Sequence, residues 1–201
     1  MQKLILIISC FFIVSCQKTY KLAIYPASFQ PFHNGHYEVI KKAKFHCEHL
    51  LIGINHADGE KTGDRNPFYG NDRENMIKNT LEKDGFTNYS IVQYNYRDRK
   101  KDGIGGYYES IFVVATEGYR KIFGIDPKDG DIATIYDAKT IHPNWKRDEY
   151  FEILQIKPKQ NNQDLEEKIA KDFLMECKIA EDIPFGTKQF FDKYKNPLCS
   201  K

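Results

Sequence analysis

"KLAIYPASFQPFHNGHYEVIKK", residues 21–42, reads as strand, turn and helix in immediate succession. Lys21 to Pro26 cluster and alternate apolar residues as a buried strand does. Tyr37 to Lys44 form the first turns of a helix. Between them His33 and His36 flank Asn34 and Gly35 at the mouth of the turn. A helix N-terminus carries unpaired backbone N–H groups and partial positive charge, and so attracts anions. Gly35 lets the backbone approach a ligand closely. Two imidazoles there add donors for phosphate oxygens. The plainer alternative is that one histidine caps the helix and the other is a half-buried surface residue. No Ser-His-Asp or metal-ligand pattern stands nearby, so phosphate binding is the better chemistry to propose.

Outward from this turn, strands and helices alternate. "HLLIGIN" (49–55) suits a strand buried on both faces. "HADGEKTGDRNPFYG" (56–70) is a loop by its Gly, Pro and polar content. "NDRENMIKNTLEKDG" (71–85) is a helix that Asn71 can N-cap, with Glu74 at the capping-box position and Gly85 at the end. Its core stripe is Met76, Ile77, Thr80 and Leu81. "YSIVQYNY" (89–96), "SIFVVATEG" (110–118) and "DIATIYDA" (131–138) read as further strands, and "YFEILQIK" (150–157) as an edge strand. "RDRKKDGIGGYY" (97–108) reads as a loop. Residues 163–180 are amphipathic, with Leu165, Ile169, Phe173, Leu174 and Cys177 on one side, and a last helix follows from about Thr187. The expected fold is therefore α/β: a Rossmann-like, open, mainly parallel sheet of five or six strands, flanked by helices and ending in C-terminal helices. Such sheets bind ligands at the C-terminal ends of strands where the strand order reverses, which is where residues 28–36 belong.

The 201 residues suffice for one well-buried domain, expected over 20–196. A net charge of +2 and the absence of a basic run among the aromatic residues exclude a nucleic-acid partner as the leading reading. "MQKLILIISCFFIVSC" (1–16) has Lys3 followed by an apolar run too short to span a bilayer, which takes about 20 residues. It has the shape of a secretory signal, and "IVSC" resembles a lipobox that would make Cys16 a lipidation site. The expectation is a membrane-anchored or exported protein if that signal operates, and a cytoplasmic one otherwise. A homo-oligomer is left open. Cys47 and Cys177, both expected on helices, read as core thiols.

"SFQPFHNGHYEVI" (28–40) resembles the H-x-G-H signature of the nucleotidyltransferase superfamily, whose members attack the α-phosphate of a nucleoside triphosphate. "LLIGIN" (50–55) and "NPFYGNDRENMI" (66–77) are similar to stretches of the archaeal-type nicotinamide-nucleotide adenylyltransferases, which pair "GRFQPFHxGH" with a later "NPFxxxERxxMI". The resemblance covers roughly residues 20–85 and, weakly, 110–138. It implies that His33 and His36 contact ATP phosphates and stabilise the pentavalent transition state. It also implies that Ser28, Phe29 and Gly35 lie at the nucleotide and that Arg73 binds phosphate. The alternative for Arg73 is a solvated helix-face charge.

A second phosphate site of the form "SGTxIR" is expected near the C-terminus. Gly186, Thr187 and Lys188 in "PFGTKQF" supply it only in part, since Phe190 stands where the arginine would. "KRDEYFEI" (146–153) is a competing alignment without a small hydroxylated residue. The family's first glycine is replaced by Ala27. Trp145 and Tyr107 are candidates for the pyridine ring of a mononucleotide. The resemblance implies an adenylyltransferase using ATP with Mg²⁺, joining AMP to nicotinamide or nicotinate mononucleotide with release of pyrophosphate. Runners-up are a cytidylyltransferase, a pantetheine-phosphate adenylyltransferase or a weakened nucleotide-binding module.

Overall fold

A computed structural model describes residues 18–55, 67–95, 105–137, 151–159, 162–181 and 183–199, without the side chains of 105–108, 162–164 and 196–199. Cys16 and Trp145 lie outside the described residues, and Tyr107 is described only as backbone. The chain runs β1 (Tyr20–Ala27), α1 (Asn34–Ala43), β2 (Cys47–Asn55), α2 (Gly70–Lys83), β3 (Tyr89–Tyr94), α3 (Gly105–Phe123), β4 (Ile132–Tyr136), β5 (Glu152–Gln155), α4 (Asn162–Glu176) and α5 (Phe185–Cys199). Five strands pair in the order β3-β2-β1-β4-β5, every pair parallel. The order reverses at β1, whose chain goes to β2 on one side while β4 pairs on the other. The crevice at the C-terminal ends of β1 and β4 is therefore the switch point.

Alternation along the strands separates two cores. Ala23, Tyr25, Leu50, Ile52, Ile54, Ala133 and Ile135 face α1, α2, α4 and α5. Leu22, Ile24, Leu51 and Ile132 face α3. Central strands covered on both sides need apolar residues at every position, and this explains the unbroken runs in β1 and β2.

"SIFVVATEG" is no strand but the middle of α3. Its β-branched run suggested a strand. The buried residues Ile111, Val114, Ala115 and Tyr119 recur at helical spacing, however, and cover the sheet. Topology requires it too: β3 and β4 are parallel on opposite sides of β1, and such a connection crosses over the sheet. Gly118 admits the close approach, since a Cβ there would stand 2.7 Å from Leu51 Cδ2.

The α2 start also differs from expectation. Tyr69 is the N-cap and makes no side-chain cap bond. Asn71 and Glu74 instead accept from Gln93 Nε2 of β3. The expected end holds: Gly85 has φ 67°, Gly85 N donates to Glu82 O, and Phe86 N donates to Leu81 O. That pair of bonds closes the last turn as a Schellman motif. Cys47 lies in β2, not a helix, as a buried free thiol whose pKa burial pushes up to about 11. Cys177 follows α4 and is disulfide-bonded rather than a core thiol.

Candidate active site

β1 delivers the chain into a loop, residues 28–33, that is held from three sides. Gln30, 3% exposed, brackets the backbone of Phe68: its Nε2 donates to Phe68 O at 3.0 Å and its Oε1 accepts from Phe68 N at 2.9 Å. Arg73 Nη1 donates to Ser28 O at 2.6 Å and to Asn55 O at 2.9 Å, tying the ends of β1 and β2 to α2. Thr187 Oγ1, at the start of α5, donates to Phe32 O at 2.6 Å. These bonds hold Phe29 at φ 52°, a left-handed conformation that bulky residues rarely adopt.

His33 caps α1. Its Nδ1 accepts from Gly35 N at 3.0 Å and from His36 N at 3.4 Å. An Nδ1 that accepts has no proton, so the neutral ring carries its proton on Nε2. The ring is fully buried at the start of the helix it caps. The first-turn N–H groups of α1 that this cap takes, Gly35 and His36, are not available to a ligand in this arrangement.

His36 is 2% exposed and is no half-buried surface residue. Its ring stacks on His33 at 3.8 Å between centroids and lies among Phe29, Phe32 and Tyr25. Burial pushes its pKa down to about 3, so the ring is neutral. Its Nδ1 is buried with no hydrogen-bond partner among the described residues.

Glu166 of α4, which nothing in the sequence singled out, completes the group. Its Oε1 lies 3.4 Å from His36 Nε2. The carboxylate also accepts from Gln30 N at 2.9 Å and from Ser28 Oγ at 3.2 Å. Because His36 is neutral, its approach to Glu166 is not an ion pair. Burial, opposed by the bonds from Gln30 and Ser28, raises the Glu166 pKa to about 7. Across the crevice Tyr25 Oη donates to Asp137 Oδ2 at 2.5 Å, just past the end of β4.

Ligand atoms of His33, His36 and Glu166 fall within 4.8 Å of one another. By type, two imidazoles and a carboxylate would suit a transition metal. The His33 tautomer argues against it, since Nδ1 is committed to the cap and Nε2 bears the proton. A hard cation such as Mg²⁺ prefers oxygen ligands, of which this set offers one residue's worth. The three side chains do not fit a metal cage; they form a hydrogen-bonding cradle.

The remaining candidates stand elsewhere. Arg73 is 1% exposed and binds backbone carbonyls, neither a solvated charge nor a guanidinium turned outward. Gly186 and Thr187 are buried where α5 packs on α2; Gly186 N donates to Thr80 Oγ1, and a Cβ at Gly186 would stand 2.1 Å from Met76 O. Lys188 is exposed. This segment supports the loop from behind, which a buried hydroxyl and a missing Cβ suit better than an open phosphate site.

A parallel sheet with a loop of donors at its switch point is the design of a nucleotide-handling α/β domain. The chain belongs to the cytidylyltransferase-like family, whose model matches residues 24–175. It is 41% identical over 64 residues to a nicotinamide-nucleotide adenylyltransferase from Picrophilus torridus, covering 32% of this chain and 37% of that one. It is 34% identical over 64 residues to a phosphopantetheine adenylyltransferase from Alkaliphilus oremlandii, covering 31% and 38%. The matches span 37% to 40% of the length of three curated nicotinamide-nucleotide relatives. A bifunctional NMN adenylyltransferase/ADP ribose pyrophosphatase from Francisella tularensis, solved with AMP and a manganese ion, superposes with a TM-score of 0.67. That likeness covers 90% of this chain and 52% of that one at 17% identity, and is one of fold.

Proposed function

We propose that the chain is an adenylyltransferase that transfers AMP from ATP to nicotinamide or nicotinate mononucleotide. The observation that carries this reading is the cradle at the switch point, where Ser28 Oγ, Gln30 N and His36 Nε2 converge on one anionic group. The names of the archaeal relatives supply the acceptor.

The mononucleotide phosphate attacks the α-phosphorus of ATP in line. The bond from that phosphorus to the bridging oxygen breaks, and pyrophosphate leaves with the electron pair. Negative charge grows on the equatorial oxygens, and catalysis is mainly positioning plus stabilisation of that charge. His33 and His36 are the proposed phosphate contacts, Ser28 and Phe29 border the nucleotide, and Gly35 lies between the two histidines. Arg73, Gln30 and Thr187 fix the loop that aims them. Mg²⁺ arrives on the triphosphate as part of the substrate, in keeping with the donor set of the cradle. Trp145 and Tyr107 remain the candidates for the pyridine ring, and Lys188 for the outgoing phosphates. Lipidation at Cys16 is a separate proposal about location.

Pyrophosphate release tests the reading with nicotinamide mononucleotide, nicotinate mononucleotide and phosphopantetheine as acceptors. Faster release with a pyridine mononucleotide supports it. Release with phosphopantetheine alone would favour the second reading, which the Alkaliphilus relative motivates.

A further inference from the structure

Three donors around the loop meet at Glu166. Gln30 N approaches its Oε1 at 2.9 Å, Ser28 Oγ stands 3.2 Å from both carboxylate oxygens, and His36 Nε2 lies 3.4 Å from Oε1. This is the arrangement a phosphate oxygen would take: a backbone N–H, a hydroxyl and an imidazole on one anionic group. The carboxylate occupies that space itself, on a side chain that is 15% exposed. No cation makes a direct contact with it among the bonds just named. Arg73 from α2 favours its charge through space, Asp137 beyond β4 opposes it, and the neighbouring His36 is neutral.

The helix that carries Glu166 is firmly seated. Ile169, Ala170 and Phe173 of α4 are buried, and Phe173 stacks on Phe191 of α5 at 3.9 Å with an interplanar angle of 7°. Glu166 lies in the first turns of α4, ahead of these anchors and next to Leu165, which also packs against the core, so the exchange proposed below asks only its side chain to move.

We propose that Glu166 is an internal occupant of the phosphate cradle, and that a nucleotide binds by exchanging its phosphate for the Glu166 carboxylate. This rests on reading the cradle as a nucleotide site. The closed arrangement lowers apparent ATP affinity by the fraction of molecules that are open. A cradle closed nine-tenths of the time weakens ATP binding by about tenfold. Protonation removes the like charge that an incoming phosphate meets. With a carboxyl pKa near 7, the closed form opposes nucleotide most strongly in alkaline solution.

The test is calorimetric ATP binding in Mg²⁺ at pH 6 and pH 8.5, with the wild-type chain, Glu166→Gln and Glu166→Ala. Glutamine keeps the packing at this position, and thermal melts establish that both variants are folded. At pH 8.5 both should bind ATP more tightly than wild type, Glu166→Ala by about tenfold, and the gap should narrow at pH 6. The titration of ATP itself is common to all three chains and cancels in the comparison. Weaker or unchanged binding by both folded variants at pH 8.5 overturns the proposal, with ATP binding by wild type leaving the nucleotide reading intact. If no folded chain binds ATP at either pH, the nucleotide reading itself fails and the exchange fails with it.

Discussion

Single residues at the cradle divide the work by atom. His33 uses Nδ1 to cap the start of α1, while His36 is buried and neutral with Nε2 beside the Glu166 carboxylate. Replacing His36 by Ala should lower kcat by about 10²–10³-fold, the usual effect of one lost transition-state donor, with a smaller change in ATP affinity. His36→Gln, whose amide N–H reaches toward the Nε2 position, should recover part of that loss. Steady-state kinetics beside ATP titrations would show it; equal losses in rate and affinity would make His36 an ordinary binding contact. The two buried groups also give opposite pH dependences of stability. Glu166 has a folded pKa near 7 against an ordinary 4.5, so the folded state binds the extra proton and stability falls as pH rises between those values. His36 has a folded pKa near 3 against 6.5, so its contribution is present above 6.5 and lost as pH falls toward 3. Between 4.5 and 6.5 the two slopes oppose each other. Glu166→Gln removes one of them. Its stability advantage over wild type should therefore grow from pH 4.5 to 7, reaching at most about 3 kcal/mol. Chemical denaturation at a series of pH values checks this, and parallel curves for the two chains would contradict it.

At the scale of elements, the loop keeps its shape because α2 and α5 press on it from behind. Their crossing has no room for a side chain at Gly186, where a Cβ would meet Met76 O at 2.1 Å. Gly186→Ala should cost about 3 kcal/mol, since backbone cannot yield as a side chain can. Gly118→Ala makes an instructive contrast. There the obstacle is Leu51 Cδ2, the movable end of a side chain, and alanine gains about 1 kcal/mol of helix propensity. That variant should stay within about 1 kcal/mol of wild type, and urea denaturation of both variants would measure the difference. The same elements show what the sequence discloses. The strand-turn-helix at residues 20–43 is legible because apolar period, glycine and histidines agree over a short span. The helix α3 is not, because a local run of Phe, Val and Val has the composition of a strand and only the topology of the sheet demands a crossover.

For the whole molecule, the sheet order puts the proposed centre at the C-terminal ends of β1 and β4. The histidine half of the centre is readable from one stretch of chain. Glu166 is not, since a glutamate on an amphipathic helix ordinarily faces water, and the chain returns it to Ser28 across 138 positions. Arg73 and Thr187 are visible in sequence as polar residues at suggestive places, but only their buried backbone bonds show that they build the loop. The proposed reaction is attack at the α-phosphorus of ATP by a mononucleotide phosphate. It is tested most directly by following ATP labelled at the α-phosphate in the presence of nicotinamide mononucleotide. The label should move into the dinucleotide while unlabelled pyrophosphate is released. Label appearing in ADP, or remaining in ATP with every pyridine mononucleotide, would contradict it.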